Sequence, residues 1–174
     1  MDKCCAEKVI IKRLEDAFAS REMPLSLSSS RQLAPDESEA LSALQHIADG
    51  SDYDFDYWQI NHDVLFLLSP QAFAFFFPKF IAMQMREVEK HHDDALHMLV
   101  VWFVISELNR RIDLIRKGDW IFERFSLFTA NELSAIESWL WWLEETILSQ
   151  DDLCQVLQAL ECILYFADGV AVNA

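Results

Sequence analysis

Residues 66–81, FLLSPQAFAFFFPKFI, constrain the fold more than any other stretch of the chain. Ser69 accepts a backbone N–H readily, and Pro70 at a first helical position gives up no hydrogen bond. Phe73, Phe76, Phe77 and Phe80 recur at steps of three and four, the period of one helix face. Four aromatic rings on one stripe need other elements to cover them. Ser69 is therefore expected to cap a core helix. Pro78 cannot donate to the ladder and disfavours helical geometry at Phe77, so a kink or restart is expected there. The helix is expected to run on to about Lys90 with Ile81, Met83, Met85 and Val88.

The rest of the chain has the same character. Only 3 glycines and 4 prolines occur in 174 residues, while 52% of residues are apolar. Sheets need turn residues every few positions, so this scarcity favours long helices. A first helix is expected over residues 3–20, with Ile10, Leu14, Ala17 and Phe18 inward. Residues 21–35 carry two prolines and four serines among 15 residues and read as a surface loop. A second helix starts near Asp36, with Glu39 at capping-box spacing and Leu41, Leu44 and Ile47 inward. A turn then leads into a short helix at Tyr57. Asp93 or Asp94 opens a central helix, DALHMLVVWFVISELNRRIDLIRK, apolar around most of its first half and closed by Gly118. Thr129 and Glu132 form a capping box for the next helix, whose stripe is Leu133, Ile136, Leu140, Leu143 and Ile147. Ser149 or Asp151 opens the last, with Leu153, Val156, Leu157, Leu160, Ile163 and Leu164 inward and a frayed tail near 169–174. The expected architecture is all-α: one domain over residues 1–174, a bundle of about six helices around the central apolar one.

Charge is unevenly placed. The net charge is −15. Residues 36–63 hold eight acidic and no basic side chains, and residues 119–174 hold ten acidic and one basic. Such a chain is repelled by nucleic acid and anionic lipid and attracted to basic proteins. The start, MDKCCAEKVIIKRLED, lacks the apolar core of a secretory signal, and the longest apolar run, near residues 95–105, is far below the ~20 residues of a bilayer span. A cytoplasmic protein with reduced cysteines is the expectation. Cys154 and Cys162, eight apart on one helix, are separated by about 12 Å of rise, too far to bridge.

Three constellations are candidates for chemistry. In HHDDALH, Asp93 and His97 are four apart and share a helix face, a spacing that suits two metal ligands. Zinc needs more ligands, and no HExxH signature is present. Capping by Asp93 or Asp94, with His91 and His92 in a linker, is the simpler reading. In SDYDFDYW, Asp52, Tyr53, Asp54, Asp56, Tyr57 and Trp58 interleave carboxylates with aromatic rings. Carboxylates at a rim steer a basic partner and rings anchor it. Against that, Phe55 and Trp58 facing a core would leave only solvated aspartates. Trp139, Trp141 and Trp142 cannot all face one core; an indole left exposed would mark an interface, while ordinary packing at the helix boundary is the simpler reading. The phenylalanine run itself reads as core. There is no Gly-rich phosphate loop, GxSxG or kinase signature, and Cys4 and Cys5 lack the surroundings of a nucleophile.

Residues 66–82, FLLSPQAFAFFFPKFIA, resemble the FLTPEAFRYYLPAFL-like segment of an uncharacterised bacterial family, a domain of unknown function. Residues 124–143, RFSLFTANELSAIESWLWWL, are similar to its RFxxLTxxQxxAVxxFLxxL segment, and IIKRLEDAFASREMP at residues 10–24 to its N-terminal I..AF......P. The three lie in the family's order. Ser69 stands for its usual Thr, Gln71 for Glu, and phenylalanines for its Tyr pair. The resemblance implies a compact bacterial domain and supplies no catalytic residues.

The expected function is that of an acidic, non-enzymatic binding protein without cofactor, of the immunity or antitoxin type, which occludes a basic toxin domain. The alternatives are a metal-dependent enzyme using Asp93 and His97, and an adaptor or homo-oligomer built through the tryptophan face.

Overall fold

The computed structural model describes residues 3–28, 32–48, 55–61, 64–96, 118–146 and 150–172. Among them every regular element is a helix, and the fold is all-α. The helices are α1 (Lys3–Ala17), α2 (Pro35–Ala48), α3 (Phe55–Ile60), α4 (Val64–Leu67), α5 (Pro70–Leu96), α6 (Trp120–Phe125), α7 (Ala130–Thr146) and α8 (Gln150–Val172). By contact the chain divides into two compact units. One comprises Met1–Ser20 and Val101–Ala174, the other Arg21–Val100. The expected central helix falls mostly on residues 97–117, outside the described residues.

The second unit is organised by α5. Ala72, Phe73, Ala74, Phe76, Phe77, Phe80, Ile81, Met83, Gln84 and Met85 are buried, so the helix is enclosed on nearly all sides over three turns. Phe73 and Phe77 stack with ring centres 4.7 Å apart. Pro78 lies inside this helix without ending it. Burial of its apolar flanks holds the helical path although one N–H is missing. α5 then continues through His91 to Leu96. Asp93 and Asp94 therefore do not open a new helix, and His91 and His92 are not in a linker. No Gly or Pro interrupts residues 79–96, so nothing stops the helix there.

Ser69 starts α5 and also fastens the preceding loop. Its Oγ accepts from Ala72 N–H at 3.3 Å and donates to the Ser26 carbonyl at 3.3 Å. Its N–H donates to the Leu27 carbonyl at 2.7 Å. Ser28 and Leu68 form an isolated antiparallel bridge, and Leu27 is buried. The stretch read as a surface loop is thus pinned at residues 26–28, because backbone groups beside a buried Leu must be paired.

α2 begins one residue earlier than its aspartate suggests. Pro35 takes the first helical position, and Glu37 accepts from Ala34 N–H at 2.7 Å. The acidic residue that reaches back is Glu37, not Glu39. Leu41 and Leu44 are buried, as their spacing predicts. α2 packs against α4, and α3 against α5.

In the first unit α7 packs against α8 and α1. The buried stripe of α1 is Glu7, Ile11, Leu14 and Phe18; Ile10 and Ala17 lie at its margin. Arg13 fixes α1 to α7 by donating to Ser138 Oγ at 2.6 Å and Ser134 Oγ at 2.8 Å. Gly118, at φ 99°, turns the chain into α6, a helix the sequence reading missed. Ile121, Phe125 and Phe128 are buried behind it, and Phe128 meets Phe18 edge to face at 5.4 Å. The Thr129 and Glu132 capping box is complete: Thr129 N–H donates to Glu132 Oε2 at 2.7 Å, and Glu132 N–H to Thr129 Oγ1 at 3.3 Å. On α8 the buried residues among the described side chains are Ala159, Cys162, Ile163 and Phe166, while the side chains of Leu153, Val156 and Leu160, expected inside, lie outside the described ones. Leu157 and Leu164, expected inside, face outward, and the helix runs to Val172.

Candidate functional site

The candidate partner surface, Asp52 to Trp58, divides on inspection of its residues. Asp52, Tyr53 and Asp54 lie outside the described residues, and of Asp56 only its place in α3 is described. Tyr57 and Trp58 are core residues. Trp58 has 0% exposure and sits edge-on to Phe80, ring centres 5.2 Å apart. Tyr57 is edge-on to Trp58 at 5.4 Å and donates its hydroxyl hydrogen to the Ala40 carbonyl at 2.7 Å. Burial raises its phenol above the ordinary value. The two rings therefore serve to seat α3 on α2 and α5. Large rings gain far more from burial than a carboxylate on the same short helix does, and they take the core side. The indole N–H of Trp58 meets no acceptor among the described residues.

Among the described residues no group of three or more His, Cys, Asp or Glu is placed to hold an ion. Asp93 lies in the last turns of α5, and His97 falls outside the described residues.

The tryptophan face resolves as its spacing requires. Trp139 and Trp142 are buried, while Trp141 is 47% exposed and its indole N–H donates to Glu137 Oε1 at 3.3 Å. At about 100° per residue Trp139 and Trp142 lie about 60° apart and Trp141 about 160° from Trp139, so the middle ring is turned out.

The exposed residues that sequence reasoning missed lie on α8. Leu157, Leu164 and Tyr165 are 40%, 45% and 45% exposed, and Glu161 is exposed between them. Steps of four, three and one place all four on one helix face. The missed signal was already in the sequence: α8 carries apolar residues on more than one stripe, and the buried one includes small Ala159 and Cys162. Both Cys154, exposed, and Cys162, buried, are free thiols. Burial pushes Cys162 up to about 12, which keeps it protonated and unreactive at neutral pH.

Arg124 is the one basic residue of positions 119–174, and it is buried. Its guanidinium lies 4.4 Å over the Trp120 ring and donates to the Trp120 carbonyl at 3.2 Å. The surface of α7 and α8 thus carries carboxylates and no Lys or Arg of its own. No helix among the described residues is long and apolar enough to cross a membrane. Comparison with protein-family models, with curated proteins and with solved structures gives no match.

Proposed function

We propose that this chain is an acidic, non-enzymatic binding protein of the immunity or antitoxin type, acting in the cytoplasm, which neutralises a basic bacterial toxin domain by covering its surface. One observation carries the reading: α7 and α8 present carboxylates with no Lys or Arg of their own, since the only cation of residues 119–174 is buried. Excess surface charge of one sign steers a partner of the opposite sign and rejects like-charged ones. The second acidic block adds to the field through α2, where Asp36 and Glu39 are exposed.

The test is genetic and physical. A reading frame beside this gene that encodes a basic, toxin-like protein is expressed with and without this chain. Rescue of growth, with co-elution of the two purified proteins, is the expected result. Unrelieved toxicity with no co-elution at low salt would remove the proposal.

A further inference from the structure

We infer that the outer face of α8 is a docking surface for a cationic amphipathic helix of a partner protein. The proposal rests on the reading of the chain as an acidic binder and names where that binder makes contact. Leu157, Leu164 and Tyr165 expose 40%, 45% and 45% of their surface on one face, one turn to two turns apart. Three partly exposed large apolar side chains on a single face are more than scattered surface leucines. Glu161 is exposed between Leu157 and Leu164, and α8 from residue 150 to 172 has four acidic residues and no basic one.

The charge decides between occupants. A second copy would bring the same apolar face but also the same carboxylates, from a chain of net charge −15. Like charges across an interface oppose association. A partner helix with apolar residues at helical spacing and Lys or Arg on the flanks satisfies both features at once. Its apolar side chains cover Leu157, Leu164 and Tyr165, and one of its cations meets Glu161 between them.

The experiment uses the full chain and a synthetic peptide of leucines and lysines arranged with the leucines at i, i+3, i+4 and i+7. A scrambled peptide of the same composition is the control. Binding is measured by titration calorimetry at low and at physiological salt. The ordered peptide is expected to bind more tightly than the scrambled one at both. The double variant Leu157→Ser with Leu164→Ser is expected to weaken it by about tenfold or more. Glu161→Gln is expected to weaken binding at low salt and to reduce the difference between the two salt concentrations. Circular dichroism checks that each variant is folded, and Tyr165→Ser applies the same criterion on the same face if the double variant is not. Equal binding of the two peptides overturns the proposal, and so does unchanged binding by the folded variants. A concentration-dependent dimer that the double variant abolishes also overturns it, by assigning the face to a second copy. Failure on α8 with growth rescue intact leaves the immunity reading in place and moves the contact elsewhere; loss of rescue with peptide binding intact removes the toxin and keeps the face.

Discussion

Tyr57 donates its phenolic hydrogen to the carbonyl oxygen of Ala40 at 2.7 Å, tying the short helix α3 to α2. Ring and hydroxyl are both committed to the fold, so a residue that reads as a contact for a partner is a strut. Replacing Tyr57 by Phe keeps the ring and deletes the bond. The expected cost is about 1 kcal/mol, the net worth of one part-buried hydrogen bond. Trp58→Ala empties a fully buried site against Phe80 and is expected to cost about 3–5 kcal/mol. Urea denaturation of the isolated chain measures both. A Trp58→Ala variant as stable as the parent would return that ring to the surface.

Alkaline pH tests the same burial. Tyr57 and Cys162 are neutral when protonated, and burial raises both above their ordinary values, Cys162 to about 12. Their contribution is complete below the unfolded-state values and is lost as pH rises toward the folded ones. Stability is therefore expected to decline above about pH 9, first through Cys162 and then through Tyr57. Cys162→Ala is expected to flatten the earlier part of the decline. Denaturation midpoints at pH 8 and at about pH 10.5 give the comparison. Parallel declines in parent and variant would exclude Cys162 as a contributor.

The three neighbouring indoles make a comparison within one helix. Trp139→Ala opens a cavity and is expected to cost about 3–5 kcal/mol. Trp141→Ala removes a half-exposed ring whose hydrogen bond to Glu137 is solvent-facing, and is expected to change stability by no more than about 0.5–1 kcal/mol. Thermal unfolding of the pair reads the contrast, and equal losses would contradict the outward placement of Trp141.

The helix starts were legible where a side chain supplies the missing bond. Ser69, Thr129 and Glu132 act as their spacing indicates, because a cap is a local interaction written within four residues. The phenylalanine stripe was legible for the same reason: its period is intrinsic to the helix. What was not legible depended on tertiary contacts. Pro78 suggests a kink or a restart, and there is no restart: packing around Phe73, Phe77 and Phe80 carries the helix through it. Asp93 was read as a cap, yet no breaker precedes it. On α8 apolar residues fall on several stripes, and only tertiary packing decides that Cys162 and Ile163 go in while Leu157 and Leu164 stay out. The aromatic-acidic segment was divided by the same force, since Tyr57 and Trp58 were needed inside.

The last prediction concerns which acidic block steers the partner. Asp52, Asp54 and Asp56 belong to a block of eight acidic and no basic residues, but the rings beside them at 57 and 58 are buried. Glu144, Glu145 and Glu161 lie on α7 and α8 near exposed apolar side chains. Rim charges act mainly on the encounter rate, and apolar contacts act mainly on dissociation. Replacing Asp52, Asp54 and Asp56 by Asn is expected to lower the association rate with a basic toxin partner only modestly, about two- to threefold at low salt, through the long-range field alone. Replacing Glu144, Glu145 and Glu161 by Gln is expected to lower it further and to flatten its dependence on salt. Leu157→Ser is expected to speed dissociation and leave the association rate almost unchanged. Stopped-flow association at two ionic strengths separates the three variants. A larger effect from the Asp→Asn set, with dissociation untouched by Leu157→Ser, would place the contact on the α2–α3 side of the chain instead.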